Sequence, residues 1–309
     1  MPPSRKSFFI FRIIATLVIA ACLITGAAIM GVRWYNATPN QRLNHALTSI
    51  QASDAPVTQV DEALNTPLSA ETTTQVKAAL RAIVTARATL DRAQQELDAI
   101  PPATATATTT ATRPSQLATR VAAARRSLAA RRALLAAAPP LLNQTARAAD
   151  ALTSAARAWQ DLQAGATLTT TASQQFAQQT QDALVASHAS STQAADAYAR
   201  AHTQFTAAAR TLPEADFSPY LAYTEQRILM TQNALLACED WINGHYPDAS
   251  ADVAAYNSFA QSAARIAGAD GLQLPSDLIA ATYQQQTRVA QKTYDQARAE
   301  VLRADAALR

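Results

Sequence analysis

Six glycines in 309 residues are too few for the tight turns of a β-sandwich or barrel, and runs rich in β-branched residues are equally scarce. Cysteine occurs twice, at Cys22 inside an apolar run and at Cys238 in a late helical stretch, which excludes a disulfide framework. Histidine occurs four times and scattered; His188 and His202 stand fourteen residues apart, about 21 Å along a helix, too far to share a metal. Aromatics reach 6%. No phosphate-cradling glycine loop, nucleophile elbow, zinc-protease helix or paired Cys-x-x-Cys is present, so the residues point to neither an enzyme nor a bound cofactor or metal.

What is abundant is alanine. Apolar residues make up 49%, much of it alanine, and large apolar side chains are thinly spread. Alanine is the best helix former but buries little area per residue. Stability must therefore come from long helices packed closely, and the expected fold is all-α: an N-terminal transmembrane helix followed by an elongated antiparallel bundle of helical hairpins.

Ile13 to Val32 carries no charge over twenty residues, about 30 Å of helix and enough to cross a bilayer core. Arg5, Lys6 and Arg12 precede it, Phe8, Phe9 and Phe11 lie on the near side, and Trp34 and Tyr35 follow. This pattern predicts residues 1–12 in the cytoplasm, an anchor over 13–35 in contact with lipid, and residues 36–309 outside the cytoplasm. Two alternatives share that topology. Ile19–Ala20–Ala21–Cys22 fits a lipoprotein signal with Cys22 as the lipidated residue, although Leu23 to Met30 stays apolar; a signal peptide cleaved near Ala28 is the other.

Beyond the anchor, short helices are expected over 39–51 and 57–65, separated by Pro56. From Ala70 to Ile100, Val76, Leu80, Ile83, Leu90 and Leu97 form a heptad-like stripe, as in a coiled coil. Residues 101–114, almost all Ala, Thr and Pro, read as a linker. The next helix is expected to stop at Pro139–Pro140, another at Gly165, and a Thr-rich bridge over 167–171 to lead into one long helix from Ala172 to Leu212. That pattern, seen at 70–139 and again at 141–213, is what a duplicated hairpin would leave. Pro213 and Pro219 mark a sub-boundary. Leu221, Ile228, Leu235 and Ile242 then recur every seven residues, with Leu229 and Leu236 beside them, and predict the best-defined core helix. Asn243–Gly244 ends it, Asp248 is the expected cap of the next helix, and the last begins near Pro275.

Lysine appears three times, so arginine supplies 23 of the 26 basic residues. Arg113, Arg120, Arg125, Arg126, Arg131, Arg132 and Arg147 follow one another with no acid between, whereas Glu214 to the end holds 12 acids against 7 bases. The bland explanation is charge complementarity within a bundle; the sharper one makes Arg120, Arg125, Arg126, Arg131 and Arg132 a contact surface for a protein partner or an anion. Nucleic acid is excluded by the expected topology. The densest polar cluster, Glu239 to Asp248, reads as a turn and helix cap, and fails as a calcium loop because Trp241 and Ser250 fall where ligands belong. Within it, Asp240, Trp241, His245 and Tyr246 put aromatic and polar groups on one turn and form the candidate ligand site.

Thr224–Glu225–Gln226–Arg227–Ile228, Tyr256–Asn257 and Leu274 to Ala280 resemble motifs of the LemA family, whose members are N-terminally anchored helical bundles. In that family the Glu–Arg–Ile and Tyr–Asn pieces sit close together in one helix; here about thirty residues separate them. The leading expectation is a bacterial cell-envelope bundle, suggested by the arginine and alanine bias, that acts as a structural or protein-interaction module with a partner or with itself. The alternative is an extracytoplasmic solute-binding or sensor ectodomain that works through a partner.

Overall fold

The structure is a computed structural model that describes residues 38–101 and 116–308. The expected anchor over 13–35, Cys22 and nearly all of the 101–114 linker lie outside the described residues. Among the described residues no helix is long and apolar enough to cross a membrane, and no strand is present. The elements are α1 (Pro39–Ala52), α2 (Asp54–Asn65), α3 (Thr72–Asp98), α4 (Gln116–Phe176), α5 (Gln181–Thr211), α6 (Ser218–Ile242), α7 (Tyr246–Ala267) and α8 (Pro275–Ala306).

Helix starts follow local chemistry. Thr38 and Gln41 make a reciprocal capping box on α1, with Pro39 in the first turn where its missing N–H costs nothing. Pro56, expected to separate two helices, sits instead in the first turn of α2 for the same reason. Asp216 accepts from the Ser218 amide ahead of α6, and its bonds to Ser218 hold the carboxyl below the usual range. His245, not Asp248, is the N-cap of α7, and Asp248 lies in the first turn near the positive end of the helix. Gly244, Gly268 and Gly271 take positive φ in the turns around α7.

Three expected breaks are absent and one unexpected break appears. α4 runs through Pro139–Pro140, Gly165 and the Thr-rich stretch for 61 residues. Leu134, Leu135, Ala138, Leu141 and Leu142 are buried on both sides of the prolines, and that burial outweighs a helix penalty of about 3 kcal/mol per proline. Thr167, Thr169, Thr170 and Thr171 donate back to the carbonyls of Gln163, Gly165, Ala166 and Thr167, so the hydroxyls need neither solvent nor a loop. Gly165 serves packing: a Cβ there would stand 2.8 Å from the ring of buried Tyr198. The break falls at 177–180, where Gln179 has φ +50 and Thr180 caps α5 through the Ala183 amide. Since α4 crosses the border between the two expected hairpin copies, the duplication is not what organises the chain.

The chain divides into two compact units. Of the described residues, unit 1 comprises 38–54, 86–101, 116–132 and 300–308; unit 2 comprises Ala55–Thr85 and Ala133–Ala299, and so includes the 213–219 connection. Along α3 and just past its end, Val76, Ala79, Ile83, Ala86, Leu90, Ala93, Leu97 and Ile100 are all buried, a seam with alternating spacings of three and four residues. Alanine takes alternate positions on it, so Ala79 is buried where Leu80 was expected. Unit 2 has its densest core where Ala148, Ala151, Ala155, Ala158 and Leu162 of α4 meet Ala201, Phe205, Ala208 and Leu212 of α5, with Phe217, Tyr220 and Ile279. The rings of Phe205, Phe217 and Tyr220 lie 5.0–6.4 Å apart, within the range of aromatic pairs.

Burial raises three phenols. Tyr220, whose hydroxyl donates to the Gln273 carbonyl, is pushed up to about 12 by burial and by the Asp277 charge. Burial, helped by a bond to Asp61, raises Tyr294, and burial raises Tyr198 against the opposing charge of Arg227. The folded state keeps these protons while the unfolded chain releases them near pH 10, so rising pH favours unfolding. The contribution of Tyr220 is complete below about pH 10 and is lost toward about pH 12. Urea midpoints followed across that window should fall, and Tyr220→Phe should flatten the slope; eight tyrosines that all ionise together near pH 10 in the folded protein would contradict this.

Candidate functional site

Unit 2 contains a half-open cavity of about 160 Å³ among four helices. The C-terminal turns of α4 supply Thr169, Ala172, Ser173 and Phe176, and the N-terminal half of α5 supplies Ser187 and Ser191. Thr231, Ala234 and Ala237 of α6 face them, and Val253, Tyr256 and Asn257 of α7 complete the wall. Thr169, Ala172, Ser187, Ser191, Thr231 and Ala237 are buried, whereas Ser173 and Asn257 are exposed, which places those two at the mouth.

The cavity exists because α5 and α6 meet through small side chains. On α6 the buried row is Thr224, Thr231 and Cys238, spaced by seven, flanked by Tyr220, Met230 and Ala237. The expected core row of Leu221, Ile228, Leu235 and Ile242 is only partly buried; Leu236 is 48% and Ile242 39% exposed. Small residues let backbones approach, and the Thr224 and Thr231 hydroxyls donate to main-chain carbonyls of α6 itself, so a Thr–Cys row is buried at little cost.

Four hydroxyls of the wall give their protons to main-chain carbonyls, while Ser191, also buried in the lining, makes no side-chain hydrogen bond among the described residues. Thr169 Oγ1 donates to the Gly165 carbonyl at 2.8 Å, Ser173 Oγ to Thr169 at 3.0 Å and Ser187 Oγ to Ala172 at 2.8 Å. Thr231 Oγ1 shares its proton between the Arg227 and Ile228 carbonyls at 3.0 and 2.9 Å. Each hydroxyl has one proton. Tyr198 OH must therefore be the donor to Thr169 (3.2 Å), Tyr256 OH the donor to Ser173 (3.3 Å), and the Cys238 thiol the donor to Ser187 (3.5 Å). Burial pushes the Cys238 thiol up, so it is a neutral packing group.

The turn singled out in the sequence lies beside this cavity. Trp241 packs edge-on against Phe176 of the wall, with centroids 6.1 Å apart, and Tyr246 packs edge-on against Trp241 at 5.1 Å. His245 sits 3.5 Å from Asp240, and His188, next to Ser187, lies 3.1 Å from Glu239, next to Cys238. Desolvation raises the Asp252 carboxyl, helped by its hydrogen bond with Asp240 and the charges of Asp240 and Asp248. Among the described residues no group of three or more His, Cys, Asp or Glu is placed to hold a metal. The structure thus joins Asp240, Trp241, His245 and Tyr246 into one shelf. Sequence reasoning missed the hydroxyl wall behind it. Its signal was present as Ser187 and Ser191, one turn apart on the inward face of a helix poor in large apolar residues.

The candidate arginines have different surroundings in unit 1. Arg120 and Arg126 are exposed. Arg125 donates to the Leu97 carbonyl and stands 4.0 Å from Asp98; Arg132 pairs with Asp91. Arg131 is buried, with 4% of its surface exposed. It donates to Ser53 (3.0 Å), to Asp54 and to Asp305 (2.8 Å), while Ser127 also donates to Asp305 (2.8 Å). These side chains do not form one open basic face.

The described residues define an all-helical protein with a small half-open cavity in unit 2. No family model, no curated protein and no solved structure matches the chain, so the partial likeness to LemA motifs gains no further support.

Proposed function

We propose that the chain is an extracytoplasmic binding module, held at the membrane through residues 13–35, whose bundle takes up a small solute and signals through a partner. The membrane placement rests on the uncharged run from Ile13 to Val32 and its basic N-terminal flank. One observation carries the binding reading: a cavity of about 160 Å³ whose twelve lining residues include no acid, base, histidine or cysteine. Such a wall can hold a ligand and offers little for turnover. The test is a thermal-shift screen of the full chain with solutes of several classes, run beside Ala234→Phe, which fills the cavity. A ligand that raises the melting temperature of the wild type and not of the variant supports the reading. No shift with any class sinks it.

A structural or protein-interaction module is the second reading, favoured by exposed Arg120 and Arg126 in a stretch that holds seven arginines and no acid. In-cell crosslinking with Arg120→Glu and Arg126→Glu is the suitable probe, because charge reversal at buried Arg131 would disrupt unit 1. Loss of a defined crosslinked protein supports this reading; recovery of the chain alone counts against it.

A further inference from the structure

We propose that the unit 2 cavity is selective for a neutral, single-ring aromatic molecule that carries a hydrogen-bond donor, a phenol-like ligand. This rests on the binding reading above and narrows it to one chemical class. Size comes first: cavities of about 150 Å³ hold a benzene-sized molecule, and this one offers about 160 Å³. A larger solute such as a disaccharide or a peptide could seat only one end inside and would protrude through the mouth. Charge comes second: no ionised side chain lines the wall, so a carboxylate or ammonium would be desolvated without a counter-charge.

The hydrogen-bond sense is the third and most selective feature. Thr169, Ser173, Ser187 and Thr231 all spend their protons on main-chain carbonyls. What remains on these oxygens is lone pairs, so this part of the wall accepts and does not donate. A ligand O–H or N–H finds four such acceptors there, whereas an ether, ketone or ester oxygen faces those acceptors and is left with only Ser191 and the Asn257 amide at the mouth as donors. Ala172, Ala234, Ala237 and Val253 provide the apolar surface for the ring, and Phe176 provides an aromatic edge. Phe176 also touches Trp241, which connects occupancy of the cavity to the fluorescence of that indole.

The experiment uses the full chain in one detergent, with Ala234→Phe as the baseline for partitioning into micelles. Phenol, benzyl alcohol, anisole, benzene and benzoate are titrated by saturation-transfer NMR and by tryptophan emission. Phenol and benzyl alcohol should bind, anisole and benzene about fivefold more weakly, the worth of one net hydrogen bond, and benzoate not above baseline. Thr231→Val, which keeps the shape and removes an acceptor, should weaken phenol by about fivefold and leave benzene unchanged. If Ala234→Phe fails to give a cooperative melt, Val253→Phe replaces it. Anisole binding as tightly as phenol, or benzoate binding well, in a manner abolished by the filling variant would overturn the donor rule while leaving solute binding intact. If no probe binds above baseline, the ligand class is wrong, and the wider solute screen decides the binding reading separately.

Discussion

Replacing Phe205 with alanine is expected to destabilise unit 2 by about 3–5 kcal/mol, the range for a fully buried aromatic truncated to a methyl group. The ring is 0% exposed and lies 5.0 Å from Tyr220 and 6.4 Å from Phe217. Around it the core is largely alanine: Ala148, Ala151, Ala155, Ala158, Ala201 and Ala208. Alanine side chains cannot rotate to fill a hole, so the cavity would persist and the cost would fall toward the upper end. Phe205→Leu keeps most of the volume and should lose about 1.5 kcal/mol or less. Urea unfolding of both variants checks this. A loss below about 1 kcal/mol for Phe205→Ala would mean that this core is not packed as described.

The second large effect is expected at Arg131. Arg131→Met keeps the apolar stem and deletes the guanidinium, leaving Asp54, Asp305, Ser53 and Ser127 without their shared donor. Breaking a buried pair by removing one partner costs about 3–5 kcal/mol when the survivor stays dry. The Asp54 side chain is 61% and the Asp305 side chain 30% exposed, so water recovers part of that. The expected loss is about 2–3 kcal/mol. Arg131→Lys should not restore it, because an ammonium cannot reproduce the fork that reaches two carboxylates. Adding Asp305→Asn to Arg131→Met should cost less than the sum of the two single changes. Arg126→Met, at an exposed position, should change stability by about 0.5 kcal/mol or less. Equal effects at the two positions would refute the buried cage.

The helical class was legible because alanine abundance and glycine scarcity leave few other folds open. The α3 seam was legible too, since Val76, Ile83, Leu90 and Leu97 repeat every seven residues. The misreadings share a cause. Hydropathy weights side chains by size, and in this bundle the most buried rows are small. Thr224, Thr231 and Cys238 lie fully inside while Leu236 and Ile242 are only partly covered. Proline and glycine were read as punctuation in α4, but that rule assumes nothing else holds the helix, and here the leucines beside Pro139–Pro140 and the ring of Tyr198 over Gly165 do. The real break, at 177–180, was marked only by Thr180, an N-cap residue in a stretch already full of threonine. As for the site, the aromatic turn could be found from composition within ten residues. The hydroxyl wall could not, because its four helices are brought together only by tertiary packing.

The Arg131 cage also sets a timetable. Its partners lie 77 residues before it, at Asp54, and 174 residues after it, at Asp305. Synthesis at about 5–20 residues per second separates Arg131 from Asp305 by roughly 9–35 s. Local helices form in about a microsecond, so the helix that carries Arg131 is complete long before its second carboxylate exists. Throughout that interval all of Ala133–Ala299, the longer part of unit 2, is made and can fold. The first residues of unit 1 to be synthesised thus belong to the unit that finishes last, and until the end of α8 arrives the guanidinium has only Ser53, Asp54 and Ser127 to pair with.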